Sequence, residues 1–282
     1  MGATYGILGW PVEHSRSPAM HNAAFQARGL DACYVHFPVH PDDIAEAVRG
    51  LRALGVRGAN VTVPHKESVI PHLDGLSDGA KAMGAVNTIV RDVDRLVGHN
   101  TDAEGLARSL DEAGVELPDT NVVVLGAGGA ARASVVGLSG RKAARVTIAA
   151  RRLEQAQALA ESVRSHVGDC ELQTCKLTTE TLVDPFRQAD LVVQSSSATL
   201  SGSTTAEAFA ALLPLDCLPR KAVVVDLVYK PLVTSVLARS DQLGLRTVGG
   251  LGMLLHQGAL AFELWTHTAA PLEIMRGCLQ SE

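Results

Sequence analysis

Apolar and polar residues follow one another along the chain in a pattern that predicts strands and helices in turn. Helical spacing is clear in 42–54, where Ile44, Val48 and Leu51 form one apolar stripe, and again in 153–163. Short apolar runs typical of strands cover 4–9, 31–39, 57–64, 87–90, 95–98, 121–125, 145–150, 190–194 and 222–228. Strands that alternate with helices in this way predict an α/β fold with mostly parallel sheets.

The pattern changes after Leu117-Pro118-Asp119-Thr120, where a second kind of segment begins. Residues 121–125 are almost continuously apolar, as in a parallel strand that is covered on both faces. The strands and helices that follow predict a doubly wound parallel sheet. One more apolar helix is predicted over 251–268.

A glycine-rich loop joins the strand 121–125 to the next helix and fits the spacing G-x-G-x-x-A. Its residues are Gly126, Ala127, Gly128, Gly129, Ala130 and Ala131. In such a loop the first glycine permits a tight turn and the second lets the backbone approach a pyrophosphate, which the helix amino terminus then faces. The loop therefore predicts a dinucleotide site.

The end of the strand 145–150 indicates which dinucleotide is bound. Sites for NAD place Asp or Glu about 20 residues after the glycine loop, where it binds the ribose 2′-hydroxyl. Here the strand has no acid at its tip and leads into Arg151 and Arg152. Two guanidinium groups suit a 2′-phosphate. Cations are otherwise unfavourable beside a helix amino terminus, so an anionic ligand would explain why they stand here. The sequence thus favours NADP over NAD.

Composition narrows the class of protein further. The 282 residues are 46% hydrophobic and carry 25 Lys and Arg against 30 Asp and Glu, a net charge of −5. These values disfavour a disordered chain and a surface for nucleic acid or anionic lipid. The start of the sequence has no signal-peptide pattern, and no run approaches the roughly 18 apolar residues of a membrane span. We therefore expect a cytoplasmic protein without membrane contact.

Cysteines and histidines show no metal-binding spacing. The five cysteines are scattered without a C-x-x-C pair, and the ten histidines contain no zinc motif. We expect reduced cysteines and no metal site.

Aromatic residues are only 4% of the chain, which argues against an aromatic-rich binding surface. The chain also has 26 glycines, which we expect to serve turns or ligand loops.

Polar residues at predicted strand ends and turns form a candidate catalytic group. They are Ser15, Ser17, Asn60, Thr62, Lys66, Asn87, Asn100, Thr101 and Asp102. Each also has an ordinary structural explanation, since Ser17 and Asp102 are good helix N-caps and lysines usually lie on the surface. A lysine and an aspartate beside a carbinol could share its proton as hydride leaves carbon, which is the task of a dehydrogenase. Composition does not show whether Lys66 and Asp102 are close together.

Several motifs resemble the shikimate dehydrogenase family. They read GWPVEHSRSPAMHN over 9–22, NVTVPHK over 60–66, GAVNT over 84–88, GHNTD over 98–102 and GGLGMLLHQG over 249–258, besides the glycine loop. Separate motifs in the right order along nearly the whole chain are far more specific than a glycine loop alone.

The resemblance implies a reaction and a domain organisation. The family reduces 3-dehydroshikimate to shikimate with NADPH, reversibly, in the pathway to aromatic amino acids. It implies an α/β substrate-binding domain, 1–105 completed by the C-terminal helices of 251–282, and an inserted Rossmann-type NADP-binding domain over 106–250. We therefore expect a small-molecule substrate, no nucleic-acid partner, and a monomer or homodimer.

The resemblance also implies roles for individual residues. Lys66 and Asp102 are expected to be the catalytic pair. The other expected substrate-binding residues are Ser15 and Ser17 for the carboxylate, with Tyr229 nearby, and Asn60, Thr62, Asn87 and Gln257. The expected cofactor-binding residues are Gly126, Ala127, Gly128, Gly129, Ala130, Arg151, Arg152, Ser195, Leu227 and Gly250.

Two departures from the family pattern lie on the cofactor side. The usual Asn-Arg-Thr after the second Rossmann strand reads Ala150-Arg151-Arg152, and the usual Asn-Ala-Thr-Ser after the fourth reads QSSS over 194–197. The first change keeps NADP as the expected cofactor. The second leaves the detailed contacts of that loop open.

Two alternative functions stay open. A quinate or dual quinate/shikimate dehydrogenase would tend to have threonine at the position of Ser17 and an acid at the strand tip. A non-catalytic sensor of shikimate-like ligands would be expected to lack Lys66 or Asp102. Both alternatives are disfavoured by residues that this chain retains.

Overall fold

The structure is a computed structural model that describes residues 2–280. The chain forms two units, Met1–Gly105 with Leu255–Glu282 and Leu106–Leu254, which we call the first and the second unit. The first unit is therefore built from both ends of the chain, and the second is inserted into it. Both boundaries between the units fall inside helices, one in Asp102–Glu112 and the other in Leu251–Thr266.

The first unit holds a six-stranded mixed sheet of order β2-β1-β3-β5-β6-β4. Its strands are β1 (Ala3–Gly9), β2 (Ala32–Pro38), β3 (Gly58–Val61), β4 (Gly75–Leu76), β5 (Thr88–Asp92) and β6 (Arg95–His99). β1 is parallel to β2 and β3, whereas β5 is antiparallel to β3 and β6. The helices from the first part of the chain are α1 (Ser17–Ala27), α2 (Ile44–Ala53), α3 (His65–Ser68), α4 (Asp78–Met83) and the start of α5 (Asp102–Glu112).

The second unit holds a six-stranded sheet in which all neighbours are parallel, in the order β12-β11-β10-β7-β8-β9. Its strands are β7 (Asn121–Leu125), β8 (Arg145–Ala150), β9 (Glu171–Lys176), β10 (Leu191–Gln194), β11 (Val223–Asp226) and β12 (Arg246–Gly249). Its helices are α6 (Gly129–Gly140), α7 (Leu153–Val163), α8 (Thr179–Gln188), α9 (Ala206–Leu212) and α10 (Ser235–Gln242).

The apolar run of β7 is explained by two cores, one on each face of this sheet. Val122 and Val124 pack in the core that includes α6 and α7, whereas Val123 and Leu125 pack in the core that includes α8 and α10. Successive side chains of a strand point to opposite faces, so a strand covered on both sides has to be apolar at every inner position.

The first unit is completed by α11 (Leu251–Thr266), mainly from Leu255 onward, and by α12 (Leu272–Gln280). Five of the ten Phe, Trp and Tyr residues cluster where α11 meets the sheet. They are Tyr5, Phe25, Tyr34, Phe262 and Trp265. The indole Nε1 of Trp265 also donates to the backbone O of Ile89 at 2.9 Å. The scarce aromatic residues thus attach α11 to the sheet.

The predicted α/β fold with a doubly wound parallel sheet is confirmed. The strands 121–125 and 145–150 and the helix 153–163 begin and end where the pattern predicts. The pattern does not predict β9 and β12, which are the edge strands of the second sheet and contain few apolar residues. Within 2–280, no helix has the length and apolar character needed to cross a membrane.

The prediction that Ser17 is the N-cap of the first helix is wrong. Ser17 is the first residue of α1, and Arg16 is its N-cap without a capping side-chain hydrogen bond. The backbone N–H of Ser17 instead donates to Oγ of Ser15 at 3.3 Å. The serine two residues earlier therefore accepts one of the free N–H groups of the helix start.

His21 of α1 is fully buried in the aromatic cluster. Its ring centroid lies 4.5 Å from that of Tyr34 and 5.2 Å from that of Trp265. Neither ring nitrogen has a hydrogen-bond partner. Burial therefore lowers the pKa of His21 from 6.5 to about 3, so the folded protein holds the neutral ring.

We expect His21 to make the first unit sensitive to acid. Its folded pKa lies below its unfolded value, so its contribution to stability is fully present above pH 6.5 and is lost as the pH falls toward 3. Near the middle of this range, unfolding should take up about one proton at this site, a slope of about 1.4 kcal/mol per pH unit. His21→Phe keeps a ring in the cluster and should flatten the pH dependence of the unfolding free energy, measured by urea titration.

The matched control is His267→Asn, because His267 is an exposed histidine of the same unit whose left-handed backbone asparagine tolerates. This variant should keep the pH dependence of the unmodified protein. Equal slopes for the unmodified protein and His21→Phe would contradict the prediction.

Candidate active site

One edge of the first unit's sheet brings the predicted catalytic residues together. Across the strands, Ile7 is paired with Asn60, Asn60 with Thr88, and Thr88 with His99. β1, β3 and β6 therefore end at the edge where the antiparallel β5 begins. The segments next to these strand ends carry Ser15, Ser17, Thr62, Lys66, Asn87 and Asp102.

Lys66 and Asp102 form an ion pair at this edge, with Lys66 Nζ 2.6 Å from Asp102 Oδ2. Lys66 lies in α3 just beyond β3, and its backbone O accepts a hydrogen bond from Val86 N at 2.7 Å. Asp102 is the first residue of α5, where the helix amino terminus favours a carboxylate. The Lys66 side chain is 27% exposed and that of Asp102 is 9% exposed. The ammonium is thus accessible while the carboxylate is covered.

Asn87 holds the other oxygen of the Asp102 carboxylate. Its Nδ2 donates to Asp102 Oδ1 at 2.8 Å and to Thr101 Oγ1 at 2.9 Å. Its Oδ1 accepts from Thr101 N and from Thr88 Oγ1, both at 2.9 Å. Both oxygens of Asp102 therefore accept a hydrogen bond within the protein. An ammonium has three N–H groups, so Lys66 has two more for a ligand.

Asn60 lies in β3 beside Asn87 and is buried. Its Oδ1 accepts from the phenol of Tyr34 at 2.7 Å. Its Nδ2 donates to Thr88 Oγ1 at 3.1 Å and to the backbone O of Asn87 at 3.2 Å. Both ends of the Asn60 amide are thus bonded to protein groups.

Three hydroxyl residues lie beyond the ends of the neighbouring strands β1 and β3. Ser17 is buried, and Ser15 and Thr62 are half-buried. The same sheet edge therefore carries the ion pair, amide side chains and three hydroxyl side chains, which suits a polar ligand with several oxygens.

Gln257 is brought to this edge by close packing of α11 on α5. A Cβ at Gly105 would lie 2.8 Å from both N and Cβ of Gln257, so only glycine permits this approach. Thr101 Oγ1 donates to the backbone O of Gln257 at 3.1 Å. The half-buried Gln257 is thus fixed beside the segment that begins with Thr101 and Asp102.

The second unit has its own candidate binding edge. β7 is central, with β8 on one side and β10 on the other, and ligands of doubly wound sheets bind outside the carboxyl ends of the strands at such a switch point. Gly126 follows β7, and Ser195 follows β10 and donates through Oγ to the backbone O of Leu125 at 2.7 Å. Gly126 has φ +122°, and a Cβ there would lie 2.9 Å from Ser195 Oγ, so the turn requires glycine.

The glycine loop fits a bound pyrophosphate. Gly128 is the N-cap of α6, and no side chain caps the first N–H groups of this helix. A Cβ at Gly128 or Gly129 would meet no atom within 4 Å. N–H groups that have no side-chain acceptor and face open space suit an anion. Ala127 and Ala130 are small, half-buried residues of the same turn.

Arg151 and Arg152 follow β8 and are both exposed. Arg152 is the N-cap of α7, yet its side chain makes no capping hydrogen bond. Ser, Thr, Asp or Asn would stabilise the helix at that position, and a cation does not. An anionic ligand is a physical reason for arginine here.

Gln194, the last residue of β10, forms the hydrogen bonds that fix the atypical loop after this strand. Gln194 is fully buried, and its Oε1 accepts from the backbone N and the Oγ of Ser196, both at 2.7 Å. Its Nε2 donates to Ser196 O and Thr199 Oγ1, both at 2.9 Å. The glutamine that replaces the family's asparagine therefore organises the loop without leaving its amide unsatisfied.

Asp226 connects this loop to the end of β11. Its fully buried carboxylate accepts from Thr199 Oγ1 at 2.9 Å, Thr234 Oγ1 at 2.7 Å and Val228 N at 3.0 Å. Burial raises the pKa of Asp226, and these hydrogen bonds oppose that rise. The loops that follow β10 and β11 thus share one support.

Leu227, Tyr229 and Gly250 lie beyond the ends of β11 and β12, at the carboxyl edge of the second sheet. Leu227 N donates to the backbone O of the last residue of β10 at 2.9 Å. A side chain at Gly250 would collide with the backbone O of Leu227, so glycine permits this close approach.

Sequence reasoning does not assign roles to Tyr34, Thr88, Gln194 and Asp226, although each makes hydrogen bonds that shape one of the two edges. The only available signal is a polar residue within an apolar strand pattern. No group of His, Cys, Asp or Glu side chains in the described part of the chain could hold a metal ion.

Comparison with known proteins decides the family. The model of the shikimate dehydrogenase substrate binding domain matches residues 7–89, that of shikimate/quinate 5-dehydrogenase matches 106–248, and that of the shikimate 5′-dehydrogenase C-terminal domain matches 250–277. A shikimate dehydrogenase (NADP+) of Symbiobacterium thermophilum is 44% identical over 98% of this chain and 92% of that protein. The chain belongs to the shikimate dehydrogenase family. The resemblance carried by the sequence motifs is thereby confirmed.

Solved structures of this family have the same fold. Shikimate 5-dehydrogenase from Listeria monocytogenes, in complex with shikimate and NAD, is 34% identical with a TM-score of 0.91, over 98% of this chain and 96% of that one. Quinate dehydrogenase from Corynebacterium glutamicum, in complex with NAD, is 30% identical with a TM-score of 0.89, over 98% of each chain. The shikimate dehydrogenase fold therefore does not by itself separate shikimate from quinate, and side chains have to do so.

Proposed function

We propose that this chain is a shikimate dehydrogenase that reduces 3-dehydroshikimate to shikimate with NADPH, reversibly. The observation that carries the proposal is the Lys66–Asp102 pair, 2.6 Å apart, on a sheet edge with hydroxyl and amide side chains. Shikimate has one carboxylate and several hydroxyls, and its formation needs one proton at one oxygen. Membership of the shikimate dehydrogenase family supports both the substrate and the cofactor.

We assign the polar residues of the first unit's edge to the substrate. Ser15 and Ser17 would bind the carboxylate, and the residues proposed for the ring oxygens are Thr62, Lys66, Asn87, Asp102 and Gln257. Asn60 belongs to the same proposed group, and both ends of its amide, like those of Asn87, also hydrogen-bond to protein groups. Tyr229 lies in the second unit, and its role toward the carboxylate stays a prediction.

Lys66 is the proposed proton donor in the reduction. NADPH, when bound, supplies the hydride. Negative charge then develops on the carbonyl oxygen, where an ammonium stabilises it and donates the proton that completes the hydroxyl. Asp102 is assigned to orienting Lys66 and a ring hydroxyl, and Lys66 to proton transfer. Both oxygens of Asp102 already accept hydrogen bonds, one from Lys66 and one from Asn87, which suits an orienting role. The partly exposed amine of Lys66 regains its proton from solvent.

We assign the second unit to NADP(H). The glycine loop and the amino terminus of α6 would hold the pyrophosphate, and Arg151 and Arg152 the 2′-phosphate. The other proposed cofactor residues are Gly126, Ala127, Gly128, Gly129, Ala130, Ser195, Leu227 and Gly250. In this assignment 106–250 serves the cofactor, and 1–105 with 251–282 serves the substrate. A cytoplasmic monomer or homodimer stays a prediction.

Steady-state kinetics of the purified protein tests the proposal. Shikimate and quinate are each assayed with NADP and with NAD. We expect the highest kcat/KM for shikimate with NADP, because Ser17 and the two arginines suit this pair. A higher kcat/KM for quinate with NAD would replace the proposed activity by that of a quinate dehydrogenase. Binding of shikimate without turnover would favour a sensor.

The role of Lys66 is tested by Lys66→Met. Methionine retains much of the side-chain volume but cannot donate a proton, so kcat should fall by about 10²- to 10⁴-fold while KM for shikimate changes little. Lys81→Met is the matched control, since Lys81 also pairs with an aspartate of the first unit, at an exposed position. It should retain kcat. Near-normal turnover of Lys66→Met, with an unchanged circular dichroism spectrum, would remove Lys66 from the mechanism.

The 2′-phosphate assignment is tested by replacing Arg151 and Arg152 with Ala. Loss of two charge-assisted donors should raise KM for NADP about tenfold or more and leave KM for NAD nearly unchanged. Arg164→Ala removes an exposed arginine just beyond the other end of α7, where it pairs with Glu161, and should change neither constant. Equal effects of the double replacement on NADP and NAD would contradict the assignment.

A further inference from the structure

We infer that Tyr34, Asn60 and Thr88 form a hydrogen-bonded relay that positions Asn87 against the catalytic pair. Tyr34 lies in β2, Asn60 in β3 and Thr88 at the start of β5, and all three are buried. β3 and β5 are neighbours, whereas β1 lies between β2 and β3. The relay goes beyond the proposed function, because it assigns Tyr34 and Thr88 a role as positioning residues. It rests on the proposed function only for its kinetic test.

The relay begins with the phenol of Tyr34, which donates to Asn60. Burial raises the pKa of Tyr34 well above its usual value of 10, so the phenol keeps its proton. Its O–H donates to Asn60 Oδ1 at 2.7 Å. The backbone O of Asn87 can only accept, and it receives a hydrogen bond from Asn60 Nδ2 at 3.2 Å, so the NH₂ end of the amide faces β5 and its oxygen faces the phenol.

Thr88 transmits this orientation to Asn87. Its Oγ1 accepts from Asn60 Nδ2 at 3.1 Å, so its own hydrogen points away from Asn60. That hydrogen is donated to Asn87 Oδ1 at 2.9 Å. The backbone N–H of Thr101 donates to the same oxygen at 2.9 Å. Two donors on Oδ1 thus make it the acceptor end of the Asn87 amide.

The orientation of Asn87 matters because of what lies at its other end. Its Nδ2 donates to Asp102 Oδ1 at 2.8 Å, and the second oxygen of that carboxylate accepts from Lys66. A reversed amide would place its own oxygen against the carboxylate, where two acceptors repel. Every donor from Tyr34 onward therefore points toward Asp102, and the relay holds the carboxylate in the rotamer that receives Lys66.

The hydroxyl of Thr88 is not needed for packing. Thr88 is fully buried, and valine has nearly the same shape. Asn60 Nδ2 would keep its bond to the backbone O of Asn87 without it. What a valine would remove is one of the two donors on Asn87 Oδ1, while the N–H of Thr101 remains, so this substitution separates orientation from shape.

Thr88→Val and Thr88→Ser test the relay in the full-length protein. Loss of one orienting hydrogen bond should lower kcat on the order of tenfold in Thr88→Val, with KM for shikimate nearly unchanged. Thr88→Ser restores the hydroxyl and should restore kcat. Tyr34→Phe should have a smaller effect in the same direction, because it acts through Asn60.

A measurement without substrate keeps the inference testable if the enzyme proves to have another activity. The Nδ2 protons of Asn87, assigned by NMR through their loss in Asn87→Asp, should exchange with solvent faster in Thr88→Val than in the unmodified protein. Thr147→Val, which alters a buried threonine of β8 in the second unit, should change neither this exchange nor kcat.

The outcomes are distinct. Unchanged kcat and unchanged exchange in Thr88→Val would overturn the relay. Equal loss in Thr88→Val and Thr88→Ser would overturn it as well, since packing and not the hydroxyl would then be responsible. An unmodified protein inactive toward shikimate with NADP would refute the proposed function instead, and the exchange rates would still decide the relay.

Discussion

The pairing of Asp102 with Lys66 is the interaction on which the arrangement of the first unit's edge depends. A carboxylate that is only 9% exposed loses most of its hydration, which costs several kcal/mol unless paired charges and hydrogen bonds replace the water. Lys66 and Asn87 supply those partners, one for each oxygen. Asn87 in turn has to be held, and the strands β3 and β5 provide the groups that hold it.

The two units reach their binding edges by different means. In the first, side chains next to the ends of four strands form the edge that we propose for the substrate, so the register between strands determines the site. In the second, the backbone provides the central feature, a helix start without a side-chain cap beside a glycine with φ +122°. A sugar-like acid requires specific hydroxyl and amide groups, whereas a pyrophosphate is satisfied by backbone N–H groups.

A buried carboxylate also supports the second edge. Asp226 is surrounded by hydroxyl and N–H donors and carries no expected ligand of its own. It connects the loops after β10 and β11, in the same way that the Asn87 network connects β5 to α5. In both units a polar group that is costly to bury determines the conformation of the segments around it, because each of its hydrogen bonds has to be satisfied.

The sequence by itself determined the buried strands, the glycine loop and the identity of the catalytic candidates. β7 and β8 follow from their apolar runs because they are covered on both faces, whereas the edge strands β9 and β12 carry too many polar residues to be distinguished from loops. Tertiary structure alone decided that Lys66 and Asp102 meet, although 36 positions separate them. It also decided the direction of every amide between Tyr34 and Asp102. Such directions follow from pairing between strands that are distant along the chain, and no local pattern contains that information.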